Sequence, residues 1–293
     1  MPELPEVETA RRGIAEQLVG CRLLDVELFR PDLLLDEDGL TLDAFKGHTL
    51  DGVERHGKYL VLHFEELSAV FHLKLAGQLV ARGEGIPGFA AGHPVPAFDA
   101  PLPHRSTHLR LDFDCGATLY LTDIRHFASV WLMHRDEVPE FIADLKLGLD
   151  VTDPGFSIQV LKSQLARHKT AKLKPILLNQ RVVAGLGNIY VDESLWQAKL
   201  HPERPAASLK PAELKRLYEG IQRTMAYALP IGGAKVLNGK ALPELGEFPF
   251  VHGREGQPCQ RCGTTIIKTR VDGRGTYLCP RCQRLPKASA SQS

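Results

Sequence analysis

Two Cys-x-x-Cys pairs, Cys259-Gln260-Arg261-Cys262 and Cys279-Pro280-Arg281-Cys282, lie near the end of a 293-residue chain with 16 residues between them. Pairs at this separation supply four thiolates in a tetrahedron, the donor set of one structural Zn2+. Between them, 266–271 and 276–278 read as strands, and Asp272-Gly273 reads as the turn of a hairpin. A metal there closes the base of the hairpin and presents its tip. Arg274 stands at that tip, where a guanidinium can hold a phosphate through two hydrogen bonds. The other two cysteines, Cys21 and Cys115, stand alone and read as small core residues. The pattern suits metal-bound thiolates in a reducing compartment, not a disulfide framework.

The opposite end carries a second constraint, Met1-Pro2-Glu3-Leu4-Pro5-Glu6-Val7-Glu8. A small second residue lets the initiator Met be removed, leaving Pro2 with a free secondary amine. Such an amine attacks an electrophilic carbon and forms an iminium ion. An α-amino group titrates near ~7.7–8.0, against roughly 10.4 for Lys, so far more of it is neutral at pH 7. Pro5 suits a helix start, and Val7, Ala10, Ile14 and Leu18 fall on one face until Gly20. The helix's positive end then lies beside the amine and favours its neutral form. Glu3 and Glu6 are within reach as proton donors or acceptors. Taken alone, the same residues also describe an acidic surface helix.

From Arg22 to Met133 the chain reads as short strands: 22–30, 49–56, 59–64, 69–73, 107–113, 117–122 and 129–133. This implies a two-layer sandwich or barrel. Residues 82–105, with five prolines, read as a mobile surface loop. Beyond Pro154 the pattern turns helical, with starts at Ser157, Pro175, Ile189 and Ser208–Pro211. The glycine-rich turn Val183-Ala184-Gly185-Leu186-Gly187-Asn188 leads into one of these helices. It is either a phosphate site or an ordinary helix-turn-helix corner. Lys58, in the basic turn Arg55-His56-Gly57-Lys58, is either a phosphate contact or a solvated edge residue.

Charge is divided unevenly. Residues 1–150 carry 14 Lys and Arg against 25 Asp and Glu, whereas residues 151–293 carry 22 against 10. A basic second half is the footprint of a polyanion binder. No apolar run approaches the roughly 18 residues of a membrane span. The acidic, proline-rich start lacks the apolar stretch of a signal peptide.

Together, Pro2–Thr9, Gly57-Lys58-Tyr59-Leu60, Thr122-Asp123-Ile124-Arg125-His126-Phe127, Gly185-Leu186-Gly187-Asn188-Ile189-Tyr190 and the cysteine pairs resemble the bacterial formamidopyrimidine-DNA glycosylases. The resemblance runs from Pro2 to about Cys282. It implies an α+β multidomain fold: an N-terminal two-layer β-sandwich catalytic domain with flanking helices (1–150), a helix-two-turn-helix DNA-binding domain (151–245), a β-hairpin zinc finger (246–282) and a disordered tail (283–293). DNA would lie in the cleft between the halves. It implies excision of 8-oxoguanine and formamidopyrimidines from duplex DNA, then β,δ-elimination through a Schiff base. The implied catalytic residues are Pro2 as nucleophile, Glu3 as proton donor, Glu6 in support, Lys58 and Arg274. The implied DNA contacts are His108, Arg125, Phe127, Leu75, Lys169 and Asn188. One Zn2+ on Cys259, Cys262, Cys279 and Cys282 is the implied cofactor. The implied partner is damaged double-stranded DNA, and the implied enzyme is a cytoplasmic monomer with no membrane association.

Several positions depart from the family's pattern. Leu75 stands where Met is usual, Lys74 where Gly is usual and His126 where Arg is common. The segment Lys169–Pro175 is one residue longer than usual, Ala234-Lys235 follow Gly232-Gly233 where threonines are frequent, and the 82–105 stretch is long. An endonuclease VIII-like glycosylase for oxidised pyrimidines shares Pro2 and Glu3 but typically carries Gly at the place of Leu4. A non-enzymatic damage binder would lack the nucleophile or the acid. A zinc-ribbon transcription or translation factor would explain only the cysteines.

Overall fold

Leu4–Gln17 form helix α1, and its expected inner face, Val7, Ala10, Ile14 and Leu18, is buried throughout. Burying a Val, Ile or Leu side chain stabilises a fold by roughly 1.5–3 kcal/mol. The chain leaves the helix through Gly20 at φ +95°. This is a computed structural model, and it describes residues 2–35, 39–168, 170–237, 240–242 and 247–286. Two compact units divide after Lys146, four residues before the boundary expected from the sequence.

The first unit carries β1 (Leu23–Leu28), β2 (Leu50–His56), β3 (Tyr59–Phe64), β4 (Leu67–His72), β5 (Gly77–Gly83), β6 (Phe89–Gly92), β7 (Thr107–Phe113), β8 (Ala117–Asp123) and β9 (Ser129–His134). They form antiparallel sheets of order β1-β7-β8-β5-β6 and β2-β3-β4-β9. Their facing residues, among them Leu60, Phe64, Phe71, Leu79, Leu109 and Leu121, share one core with α1. The sandwich expected from the strand spacing is present. Helix α2 (Val138–Asp144) places Val138 and Phe141 against Val61, Val70 and Trp131 in a second, smaller cluster.

Two expectations for this unit fail. The stretch 82–105 is not structureless. Its first residues complete β5, and β6 pairs with β5 at the sheet edge, Gln78 opposite Gly92 and Ala81 opposite Phe89. Gln78 donates to the carbonyls of His93 and Pro96, and Arg82 to that of Phe98 at 2.8 Å. Proline and glycine density suggested a loop, but tertiary pairing supplies the strand. Cys21 and Cys115 are likewise not lone core residues. They are joined in a disulfide with Cα atoms 5.7 Å apart, linking the start of β1 to the β7–β8 turn.

The second unit holds β10 (Leu149–Asp150), α3 (Ile158–Ala166), α4 (Leu173–Leu178), β11 (Val183–Ala184), α5 (Asn188–Ala198), α6 (Pro211–Ala228), β12 (Val236–Leu237), β13 (Lys240–Ala241), β14 (Ile267–Val271) and β15 (Arg274–Leu278). Ser157 caps α3 by accepting from the Val160 amide at 3.3 Å, as its position suggested. Ser208 does not cap α6; that place is taken by Lys210, with Glu213 accepting from the Lys210 amide. Gln283, expected to open a disordered tail, is buried, with its side chain bonded to the Cys279 amide and the Leu200 carbonyl. The remainder of that tail from 287 onward lies outside the described residues.

Candidate active site and zinc centre

Pro2, Glu3 and Glu6 are all buried at the start of α1. Glu3 is the N-cap in extended conformation, and its amide donates to Glu6 Oε2 at 2.8 Å in a reciprocal capping box. The two acidic residues flanking Pro2 thereby hold each other in place. Glu8 lies further along α1 and accepts from Arg11, Arg12 and Arg55. Burial alone would raise the Glu8 carboxyl, but the hydrogen bonds from Arg11, Arg55 and Arg12 bring it down to about 2. Arg55 also donates to the Gly57 carbonyl at 2.9 Å. It therefore ties α1 to the β2–β3 turn, where Gly57 takes φ +59° and Lys58 follows. Nothing in the sequence marked Arg55 for this role.

Leu75 sits in the turn between β4 and β5 beside Lys74, which adopts φ +49°. Glycine, the residue expected here from the resemblance, adopts that left-handed conformation freely. Lys74 reaches across Trp131 at 5.7 Å, and burial pulls its ammonium below the ordinary value. Arg125 and Phe127 project from the β8–β9 turn, Phe127 remaining 49% exposed with the Arg125 guanidinium 5.4 Å from its ring. The turn is shaped by Asp123, whose buried carboxylate accepts from the amides of Arg125, Phe127 and Ala128 at 2.7–2.8 Å. Gly77 pairs with Asp123, so the partly buried β4–β5 turn and the exposed β8–β9 turn leave the same end of one sheet. His108 is covered rather than open: it is 2% exposed and stacks on His126 at 5.0 Å.

In the second unit, Gln180 braces the glycine-rich turn by accepting from the Gly185 amide and donating to the Leu186 carbonyl. Asn188 then opens α5, and its side-chain amide donates to the Gly275 carbonyl at 3.0 Å. Gly275 follows Arg274, which is exposed beside the turn formed by Asp272 and Gly273. Lys174, fully buried, donates to the same carbonyl at 2.9 Å and to Asp192 at 2.6 Å. Asp192 also bonds His252 at 2.8 Å and the Tyr277 amide at 3.1 Å. A buried ion pair is stable only when its remaining hydrogen-bonding capacity is filled, as these contacts do. Lys169 lies outside the described residues.

The four expected cysteines meet. Their sulfurs all lie within 4.8 Å of one another, with Cys262–Cys279 and Cys262–Cys282 at 3.5 Å and Cys259–Cys282 at 4.0 Å. Zinc–sulfur bonds of ~2.3 Å in a tetrahedron place sulfurs about 3.8 Å apart, so the donor set and spacing fit Zn2+. Trp196 donates its indole N–H to Cys259 Sγ at 3.4 Å, and Arg261 stacks over that indole at 3.6 Å. Glu193, fully buried, accepts from three successive amides at Phe250, Val251 and His252, fixing the entry to the finger.

A model of the formamidopyrimidine-DNA glycosylase N-terminal domain matches residues 1–130, and one of the same enzymes' H2TH domain matches residues 147–238. A model of the zinc finger found in FPG and IleRS matches residues 256–285. The formamidopyrimidine-DNA glycosylase of Enterococcus faecalis is 39% identical over 295 residues, covering 97% of this chain and 98% of that protein. That of Geobacillus kaustophilus is 38% identical over 292 residues, covering 97% and 100%. A solved structure of MutM in complex with carbocyclic 8-oxo-G containing DNA aligns with a TM-score of 0.82 at 33% identity, covering 97% of this chain and 100% of that one. A Lactococcus lactis FPG mutant bound to a Fapy-dG containing DNA aligns at 0.83 and 34% identity with the same coverage.

Proposed function

The chain belongs to the formamidopyrimidine-DNA glycosylase family, and from that premise we propose that it excises oxidised purines from duplex DNA and then incises the abasic strand. The observation that carries the reading is Pro2 at the positive end of α1, flanked by Glu3 and Glu6. Neutral Pro2 attacks the anomeric carbon of an everted nucleotide, and the C–N bond to the damaged base breaks. The resulting iminium acidifies the adjacent sugar protons, so successive β- and δ-eliminations release the two flanking phosphates. Glu3 donates a proton to the sugar, and Glu6 holds the Glu3 backbone in place. Lys58, Asn188 and Arg274 contact phosphates.

Reaching a base inside a duplex requires turning it out, at a cost of a few kcal/mol. Leu75, Arg125 and Phe127 fill the vacated space and offset the lost stacking. The partly exposed turns that carry them support this assignment. Zn2+ on the four cysteines stabilises the hairpin that presents Arg274. The protein acts as a monomer in the bacterial cytoplasm; no helix among the described residues is long and apolar enough to cross a membrane.

One unremovable residue placed before Pro2 converts its nitrogen to an amide and should abolish incision. Retained strand cleavage by that variant would sink the nucleophile assignment. Excision from duplexes carrying 8-oxoguanine, a formamidopyrimidine or thymine glycol should favour the first two. Preference for thymine glycol would support the endonuclease VIII-like alternative.

A further inference from the structure

The long segment after β5 carries His93 to the working end of α1. Gln17 contacts the Gly88 carbonyl at 3.4 Å, and the Phe89 ring lies against Gly13. As β6 advances, it therefore runs back along α1 toward the helix start. From Phe89 to His93 an extended chain covers about 13 Å, and from Gly13 to Leu4 the helix axis covers about the same. This direction carries His93 toward the N-terminal end of α1. The strand register gives a second, independent placement. The His93 amide donates to the Gly77 carbonyl at 3.1 Å, and Gly77 pairs with Asp123 on its other side. His93 therefore stands at the sheet end from which the Leu75 turn and the Arg125–Phe127 turn both leave.

His93 Nδ1 lies 3.2 Å from the Val95 amide and 3.3 Å from the Val95 carbonyl, so the Val95 backbone engages Nδ1 and leaves Nε2 as the ring nitrogen that can meet a ligand; with the amide as partner of Nδ1, the neutral ring carries its proton on Nε2. Burial holds the imidazole below its ordinary range, so the ring is neutral at pH 7. The Gln78 side chain bonds the His93 carbonyl and is itself held by Thr122 at 2.7 Å, which fixes the backbone under the ring.

We propose that His93 is a further residue of the lesion site, donating its Nε2–H to an acceptor oxygen of the everted nucleotide that Pro2 attacks. The proposal rests on the reading of Pro2 as nucleophile. It also gives the long 82–105 segment a function: it delivers a substrate contact that α1 and the two turns do not supply.

The test uses the full zinc-containing chain with His93→Phe, which keeps the ring's bulk, and His93→Gln, which restores an N–H donor. Single-turnover rates are measured on an 8-oxoguanine duplex and on a preformed abasic duplex, alongside the thermal midpoint. The expected result is a loss of about ten-fold for Phe, substantial rescue by Gln, and thermal midpoints within about 2 °C of the parent. A loss on the 8-oxoguanine duplex alone places the acceptor on the base; a loss on both places it on the sugar-phosphate. Parent rates for His93→Phe on both substrates overturn the proposal. So does a loss that Gln fails to rescue or that accompanies a lowered midpoint, since either marks a packing role. Borohydride trapping of the parent enzyme is run in parallel. Failure to cross-link Pro2 there removes the underlying reading, whereas a cross-link with unaffected His93 variants removes the His93 assignment alone.

Discussion

Asp123 shows how much one side chain can decide. Its carboxylate satisfies three amides of a turn that otherwise exposes Ile124, Arg125 and Phe127 to solvent. In Asp123→Asn an amide nitrogen replaces one acceptor oxygen and meets N–H groups. This should lower stability by about 1–3 kcal/mol and weaken binding to lesion duplexes more than to undamaged ones. Urea denaturation and titration of both duplexes check this; equal weakening would mean that the turn does not read the lesion. Glu8 offers a pH test. Its folded value of about 2 lies below the ordinary 4.5, so its bridges stabilise the fold above pH 4.5 and are lost as pH falls toward 2. Glu8→Gln should therefore cost stability at pH 7, about 1–2 kcal/mol after discounting for solvent screening. The gap from the parent should narrow in acid, and a gap constant from pH 7 to pH 2 contradicts the assignment. At this scale the sequence spoke clearly where chemistry resides in the residue type itself, as at the four cysteines. It was silent at Asp123, Arg55 and His93, whose roles depend on neighbours far along the chain.

Among elements, the longer ones were legible because their faces bury apolar side chains at the helical or strand period. Helix α1 and strands β2, β3, β7 and β8 are close to where patterning put them. The misread elements, β5 and β6, take their structure from partners. In β6, Phe89-Ala90-Ala91-Gly92 has little intrinsic strand preference, and at Gly92 a side-chain carbon would lie 2.4 Å from the Gly77 carbonyl. The α1–β6 contact is equally close: a Cβ on Gly13 would lie 2.4 Å from the Phe89 ring. Gly13→Ala should therefore destabilise the first unit by about 1–2 kcal/mol despite the better helix propensity of Ala. Adding Phe89→Ala should make the Gly13→Ala change less costly than it is in the parent. Additive effects in a denaturant-based double-mutant cycle would mean that the ring moves aside freely. In the zinc hairpin, the indole bond from Trp196 to Cys259 makes the metal visible optically. Chelating Zn2+ should change Trp196 emission in a Trp131→Phe background. An unchanged spectrum on complete metal loss would disconnect the two.

Across the whole molecule, the two units differ in charge as well as fold. The first bears the surplus of carboxylates together with Pro2, and the second and its finger bear the surplus of Lys and Arg. Phosphate attraction should therefore come chiefly from the second unit and fall steeply with salt. Arg274→Ala should shallow the slope of log affinity against log salt by about 0.9, the share of one phosphate contact. The division of labour was readable from the distribution of charge and cysteines, but the bonds holding Asn188, Lys174 and Asp192 to the hairpin were not. They depend on residues about 85–101 positions apart meeting at the Gly275 carbonyl and the Tyr277 amide. The central claim is that the mature chain's first nitrogen becomes bonded to damaged deoxyribose, and the direct measurement is borohydride reduction during turnover on an 8-oxoguanine duplex, followed by peptide mapping. The account predicts one protein–DNA cross-link, on the fragment beginning at Pro2. A cross-link on an internal lysine, or none while the strand is still cut, would contradict it.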